Sequence, residues 1–553
     1  VTRRRDRRGL SDRLRDAFFA SPLHAWRLSG PVPDGLAVAV ADAWTGDPDI
    51  GRELLEGGYT VDGAPVTVPA DPWGEAGYSD AALAALHRFE WLRDLRDLGG
   101  DAARRRARDL VGSWIDSHAG WDRLAWRADL MAARLAAWVS TFGFFADSAD
   151  DEFRRRVLES LVRQYRHLAR AIETGPGGLA RLHTLRGALI TAVALGAGED
   201  DVQTLAERLD AAIRAQVLAD GGHHSRSPAF QAEGLAAVVD ARAALRAAGR
   251  ESTATLDETI QHMTGVLRML RHGDGGLALF NGATEGQVWR LDTLIARTET
   301  KTRAVTSAGE IGFERLVAGR AVVIVDAGAP ADPADSDDHT HAGTLSMEMS
   351  VGKERLIVNC GATPSDPRWQ GVLRASAAHS GLVIDDTNTT ELKPDGTLGR
   401  RPANVRLERW EADGSVWIEA EHDGYRDSHS ILHRRRLFLA AGGDDLRGED
   451  VVSYSGGPGA KPGEAAIRFH LHPRVSASLI QNGASVLLRM PSGAGWRMRA
   501  TGGRLALNES VYFGEGGRLQ RTRQIVIAVP LDDLRDQGSA SVKWALRRED
   551  RRG

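Results

Sequence analysis

Two stretches of this chain gather imidazoles. The first, Asp337-Asp338-His339-Thr340-His341-Ala342-Gly343, runs into Thr344-Leu345-Ser346-Met347-Glu348-Met349-Ser350. In an extended segment residues i and i+2 face the same side, so His339 and His341 point together with Asp337 beside them. Converging imidazoles can hold a metal, or one can hold metal while the other moves protons. Asn359 closes the next strand pattern, and His379 follows in Ala377-Ala378-His379-Ser380. A surface or packing role is the bland alternative for any single histidine. His-x-His followed by a third histidine in a linked strand favours a site.

The second stretch is Asp220-Gly221-Gly222-His223-His224-Ser225-Arg226-Ser227-Pro228-Ala229-Phe230-Gln231, a loop leading into a helix over 232–245. Two histidines and an arginine ahead of a helix suit an anion-binding wall. A capping loop whose polar groups meet only water fits equally well. His272-Gly273-Asp274-Gly275-Gly276-Leu277-Ala278-Leu279-Phe280-Asn281-Gly282 lacks the Gly-Lys-Ser/Thr ending of a phosphate loop and follows no strand, so a domain-junction turn is the better account. His470 and His472 alternate in a pattern that reads as a strand face. His422 to Tyr425 and His433 to Arg436 line a cleft or a sheet surface. Gly-x-Ser-x-Gly, His-Glu-x-x-His and Cys-x-x-Cys are all missing, which argues against serine hydrolases, zincins and dithiol redox chemistry.

The elements that must position these groups change character along the chain. From about 80 to 270 the apolar period is helical. Met131, Leu135, Trp138, Phe142 and Phe145 make one stripe, and Leu158, Leu161, Tyr165, Leu168 and Ile172 another. Short Gly/Pro/Asp breaks between helices predict antiparallel neighbours, in a bundle or a ring of helical hairpins. Past residue 300 the period becomes two. Strands are predicted over 320–326 and, half-buried, over 344–351, the latter turning at Gly352-Lys353 into 355–359. Hairpins are predicted around Asp413-Gly414 and Asn482-Gly483. The second half is therefore antiparallel β, in stacked sheets.

A length of 553 residues suits two or more domains. The net charge of −4 argues against a dedicated nucleic-acid surface. Only five of the 71 basic residues are lysines, which a GC-rich genome explains first, and arginine's bidentate grip on carboxylates second. One cysteine, Cys360, rules out an intramolecular disulfide and a cysteine zinc cluster. No apolar run reaches the roughly 18–20 residues of a membrane span. No apolar signal core follows the basic N-terminus, so the cytoplasm is the expected compartment, with the periplasm left open.

Helices to about 270, then His-x-His-Ala-Gly-x-Leu-Ser-x-Glu, Val358-Asn359-Cys360-Gly361 and Ala378-His379-Ser380, together with Asp220-Gly221-Gly222-His223 and Ser227-Pro228, resemble the heparinase II/III family of polysaccharide lyases. The resemblance implies an α+β two-domain chain. Residues 1–79 would be a lead-in packing on the helical domain, 80–300 an (α/α) toroid, 301–545 an antiparallel multi-sheet β-sandwich, and 546–553 a charged tail. It implies β-elimination at a uronic acid in a cleft between toroid and sandwich. His339 matches the family's catalytic histidine. His341, Asn359 and His379 match ligands of a structural zinc, with Asn359 where the family has Asp. Phe230 stands where a Tyr is expected. In the toroid helix only His183 matches the Asn-His pair, with Leu182 in the Asn position.

The expected site therefore has His339, His223 and His183 in proton transfer. His224, Arg226, Phe230, Arg186 and Tyr425 would meet an acidic glycan or oligosaccharide, and His341, Asn359 and His379 would hold one zinc or other divalent ion. No nucleotide cofactor or nucleic-acid partner is expected, and a homodimer is compatible. A glycan-binding protein that kept the fold and lost turnover is the alternative, and a glycoside hydrolase ranks last.

Overall fold

The computed structural model describes residues 10–42, 44–61, 64–74, 77–331, 339–363 and 366–549. Asp337, expected beside His339 and His341, lies outside them. The chain forms two compact units. One runs to Ala215 and takes in Ala236–Glu258. The other comprises Gln216–Leu235 and the described residues from Thr259 onward. The division falls well before residue 300: Asp220 and Arg226 in the loop, and His272 and Asp274 after α12, bond to the strands and turns of the β region.

The helical unit begins with α1 (Leu10–Phe19), α2 (Pro22–Arg27), α3 (Pro48–Leu55) and a small hairpin, β1 (Gly58–Val61) with β2 (Ala64–Thr67). Its body is α4 (Asp80–Arg88), α5 (Leu92–Leu98), α6 (Gly100–Ser117), α7 (Ala128–Phe145), α8 (Asp151–Ala171), α9 (Gly178–Ala194) and α10 (Glu199–Arg214). Helices α11 (Pro228–Ala247) and α12 (Ala254–Met269) follow, each contributing residues to both units. The starts obey capping chemistry. Ser79 accepts from Ala82 N at 3.1 Å, and Asp150 accepts from Phe153 N at 2.8 Å. The stripe Met131, Leu135, Trp138, Phe142 and Phe145 is buried as its spacing predicts. Gly187 of α9 faces the backbone of Ala132 in α7 so closely that a Cβ has no room, which is why these helices cross there. Arg134 is fully buried. It donates to Gln164 Oε1 at 2.7 Å, His87 O at 2.9 Å and Ala125 O at 2.8 Å, with its guanidinium 4.0 Å from the Trp114 ring. One cation thus ties α8, the end of α4 and the approach to α7.

The second unit adds α13 (Val288–Arg297) and two antiparallel sheets. The nine-stranded sheet holds β3 (Ser307–Ala308), β4 (Phe313–Ala318), β5 (Ala321–Asp326), β6 (Met347–Val351), β7 (Glu354–Val358) and β8 (Leu382–Ile384). It continues with β13 (Glu464–Leu471), β17 (Arg504–Tyr512) and β18 (Gln520–Pro530). The eight-stranded sheet holds β9 (Val405–Ala412), β10 (Ser415–Tyr425), β11 (Ile431–Leu439), β12 (Asp445–Tyr454), β14 (Ser476–Ile480), β15 (Ser485–Arg489), β16 (Gly495–Thr501) and β19 (Ser539–Arg548), in the order β14-β15-β16-β19-β12-β11-β10-β9. Alternate residues of both sheets, among them Val323, Met349, Ile467, Ile525, Ile418, Leu437, Leu446 and Trp496, form one core between them.

Two strand expectations need correction. The β6 strand reads as half-buried, yet Met347, Glu348, Met349 and Ser350 are all buried. Its polar face is covered by the 272–279 segment. His272 bonds Glu348 Oε2 and Ser350 Oγ at 2.9 Å each, and Leu279 N donates to Glu348 Oε2 at 3.0 Å. The expected tail from 546 begins inside β19, which ends at Arg548.

Several buried histidines are held neutral. Burial lowers His87 to about 3, with Arg134 and His118 adding to the effect, and lowers His167 to about 3, with His24 and Arg170 adding to it. Trp114 Nε1 donates to His87 Nδ1 at 3.0 Å, which requires an unprotonated nitrogen there. In the unfolded chain such groups take up protons near pH ~6.5. Between that value and about 3 the unfolded state binds more protons, so stability falls as pH falls through this window. The melting temperature should drop steadily from pH 7 to pH 4.5, and His87→Gln should make the slope shallower. A slope unchanged by that substitution would exclude His87 as a contributor.

Candidate active site

The loop that precedes α11 is fixed before its histidines are placed. Asp220 Oδ2 accepts from Glu310 N at 2.9 Å and Ile311 N at 3.0 Å, and its Oδ1 accepts from Gly222 N at 2.9 Å. Gly221, at φ +87°, lies against the backbone of His262. Gln231 closes the loop, accepting from His223 N at 2.7 Å and donating to Gly221 O at 2.9 Å and Met263 O at 3.0 Å.

This construction decides which predicted groups remain available. The His223 side chain is buried. Its Nδ1 accepts from Ser225 N at 3.2 Å, so Nε2 carries the proton and faces Gln216 Oε1 at 3.4 Å. His223 therefore shapes the loop and is not placed to exchange protons with a substrate. Arg226 is also buried, at φ +60°. It pairs with Asp326, donates to Ile311 O at 2.7 Å, and lies 5.1 Å from the Phe313 ring centroid. Its charge is committed, so it cannot neutralise a uronate as expected. Tyr425 is fully buried, and its hydroxyl donates to Leu382 O at 2.8 Å. Burial pushes that phenol far above its ordinary range, so the expectation that it meets the glycan is also overturned.

What stays partly exposed is the row His224, Phe230 and His339. The His339 ring lies 4.5 Å from that of Phe230, which lies 6.0 Å from His223, itself 4.7 Å from His224. Gly282, at φ +78°, backs His339, and a Cβ there would stand 3.0 Å from the His339 Cβ. The residue that joins the two stretches is Asn281. It donates to Arg226 O at 3.0 Å and accepts from His341 N at 3.1 Å. Sequence reasoning took Asn281-Gly282 as part of a junction turn. The available signal was an Asn-Gly pair, a sharp turn whose side chain can staple backbone on both sides.

His341 Nδ1 sits 3.0 Å from His379 Nε2, and both rings are buried. His379 Nδ1 donates to Ala375 O at 2.8 Å, so its Nε2 offers a lone pair to His341. Burial holds both imidazoles low, His379 at about 4, with the neighbouring His379 and Arg374 adding to the effect at His341. His341 and His379 are thus brought together as the resemblance implies, whereas His339, expected from its spacing to point with His341, packs on Phe230. Asn359 does not complete a zinc site. Its Oδ1 accepts from Ser380 N at 2.9 Å, which fixes the amide so that its other end is a buried NH2 without a partner among the described residues. Two neutral nitrogens and a neutral amide so oriented fall short of the closed, four-ligand set a structural zinc takes. An N–H···N bond accounts for the pair without a metal.

Elsewhere, ligand atoms of Glu285, His472 and Glu515 lie within 4.8 Å of one another. Arg355 stands 3.7 Å from Glu285, Tyr512 donates to the same carboxylate, and Arg474 pairs with Glu515 at 2.8 Å, so these charges are already matched.

His183 and Arg186 belong to α9 of the helical unit. Arg186 pairs with Asp240 at 3.0 Å, and Trp44 Nε1 donates to the same carboxylate at 2.9 Å. Burial would raise the Glu90 carboxyl, but the charges of Arg93, Arg88, Arg186 and His183 hold it low. Trp44, Glu90, Arg93 and Asp240 were not legible as one cluster with His183 and Arg186, since they come from three separate segments.

Metal analysis of the purified chain should find zinc well below one per chain, and chelator should leave the melting temperature unchanged. Stoichiometric zinc lost together with His379→Ala would overturn the hydrogen-bonded assignment.

Residues 300–545 match the profile of a family described as heparinase II/III-like, C-terminal. FtsZ-localized protein C of Caulobacter vibrioides is 30% identical over 96% of this chain and 93% of its own length. A crystal structure of heparinase III aligns with a TM-score of 0.70 at 15% identity, over 95% of this chain and 88% of that one. Heparan sulfate lyase HepC from Pedobacter heparinus aligns with a TM-score of 0.62 at 15% identity, over 98% and 88%. The two structures share this chain's fold, an α/α toroid followed by an antiparallel multi-sheet β domain.

Proposed function

The chain belongs to the heparinase II/III-like family, and on that premise we propose that it is a lyase that cleaves a uronate-containing glycan by β-elimination, with His339 moving the proton. The observation that supports this is the placement of His339. It is a partly exposed imidazole, backed by Gly282 and faced by the Phe230 ring, on a segment that Asn281 staples to the α11 loop.

In such an elimination the base takes the C5 proton of the uronate. The C5–H electrons form the C4–C5 double bond, the C4–O bond breaks, and the leaving oxygen takes a proton. Phe230 offers no proton where the family has Tyr. His339 therefore both accepts the C5 proton and returns it to the leaving oxygen, which needs both on one face of the sugar. His224 is the remaining exposed hydrogen-bonding group of the row and meets the carboxylate.

Incubation with polygalacturonate, alginate and hyaluronan should give an unsaturated product that absorbs in the near ultraviolet. His339→Ala should lower the rate by about 100-fold or more. Phe230→Tyr should raise it by restoring a second proton-transfer group. No product from any of the three polymers, or a rate indifferent to His339→Ala, would falsify the reading.

A second reading, binding without turnover, is favoured by Phe230 itself and by the relative whose name places it at FtsZ. On that reading the chain associates with FtsZ polymers. Co-sedimentation with them, in the absence of any unsaturated product, would put it first.

A further inference from the structure

The solvent face of the eight-stranded sheet carries a row of aromatic residues that no step above uses. Trp410 on β9 pairs with Trp417 on β10, and Trp417 with Phe438 on β11. Phe438 pairs with Arg447 on β12, Arg447 with Ala545 on β19, and Ala545 with Arg499 on β16. These residues alternate with Ile418, Leu437, Leu446, Leu546 and Met498, which enter the core, so the row points away from it. Trp410 is 45% exposed. The Trp417 and Phe438 rings are 4.8 Å apart, and the Arg447 guanidinium sits 5.5 Å from the Phe438 centroid. Beyond the rings the small Ala545 leaves a hollow of about 430 Å³, which Arg499 and Lys543 rim.

The charges are spent unequally. Arg447 pairs with Asp445 at 2.7 Å, and Lys543 stands 3.8 Å from Glu449. Arg499 is exposed and has no ion-pair partner among the described residues. The strip is one residue wide. On one side the next row is Glu408, Glu419, Arg436, Glu449 and Lys543, and on the other it includes Asp445, Arg547 and Arg497. Three rings offer at most about 150–250 Å² each, below the roughly 800 Å² that a stable protein partner covers. Strands stand about 4.8 Å apart, so the row from β9 to β16 is long as well as narrow. A linear ligand with flat apolar faces and anionic edges fits this shape, since pyranose rings stack on indoles while guanidinium takes carboxylate.

We propose that this face is a second binding site, for an acidic oligosaccharide lying across Trp410, Trp417 and Phe438 with its carboxylates toward Arg499. The choice of a uronate rests on the function proposed above, whereas the platform does not.

Affinity electrophoresis of the full chain tests it, in gels holding polygalacturonate, alginate, hyaluronan or neutral dextran. Retardation is expected in at least one acidic polymer and not in dextran. Trp410→Ala should weaken it about tenfold, Trp410→Phe should restore most of it, and Arg499→Ala should weaken it and flatten its dependence on salt. Unchanged melting temperatures confirm folding of these exposed-site variants.

Turnover of a short oligogalacturonide tests the lyase function by itself. An inactive chain still retarded through Trp410 keeps this inference and removes the other. An active chain whose retardation ignores Trp410 and Arg499 does the reverse. No retardation of the parent chain in any acidic polymer overturns the proposal. So does a change in sedimentation on Trp410→Ala without a change in retardation, which would make the face an interface between copies.

Discussion

A buried ion pair between Arg435 and Asp450 holds the β unit's site in place. Asp450 lies on the inner face of β12, where it accepts from Arg435 Nε at 2.7 Å, His433 Nε2 at 2.8 Å and Trp544 Nε1 at 2.9 Å. Burial alone would raise this carboxyl, but Arg435 and His433 hold it well below the usual carboxylate range. Arg435 then reaches out of its own sheet to donate to Leu345 O at 2.7 Å and Ser380 O at 3.2 Å. Those carbonyls follow His341 by four residues and His379 by one. A charge seated in one sheet thereby sets the two turns from which the paired imidazoles rise. Removing one partner of such a pair costs about 3–5 kcal/mol because the other charge is left buried. The loss would register at Leu345, which holds φ +61° and depends on its surroundings to stay there.

The same logic repeats on the other side of the nine-stranded sheet. Glu348 is fully buried, yet both its oxygens are used, by Asn359 N at 2.7 Å and by His272 Nε2 and Leu279 N. Arg226 and Asp326 make a second buried pair, which binds the α11 loop to β5 and the Ile311–Gly312 turn. Polar groups so enclosed are costly unless every partner is present, so they fix one arrangement of the loops rather than several. His339 has its position because Asn281 joins these two locked segments.

How much of this the sequence disclosed follows from the range of the interactions. Periodicity is local, so the α7 stripe, the turns at Gly352, Asp413-Gly414 and Asn482-Gly483, and the change from helix to strand were all legible. The His341–His379 contact was legible through the family resemblance rather than the i,i+2 spacing, which paired His341 with His339 instead. Arg226 was not. It looks like a free cation in a polar loop, and only Asp326, 100 residues later, shows that its charge is taken. Tyr425 was misplaced for a similar reason. It ends an exposed-looking strand but turns inward to a carbonyl on β8. Asn359 could be read as a ligand until Ser380 N was seen to fix its amide.

These long-range commitments narrow the chemistry. His223 and Arg226, both expected to meet substrate from the α11 loop, are taken up by the fold itself. Phe230 then presents to His339 a surface that can stack and exclude water but cannot carry a proton. His339 packs on the Phe230 ring and His223 links that ring to His224, so two partly exposed imidazoles stand at the ends of one run of rings. In the proposed elimination His339 is the group that exchanges the proton. On that reading Asn281, which bonds both flanking segments, and Gly282, which backs the ring's own residue, position His339, and the conspicuous Arg226 does not.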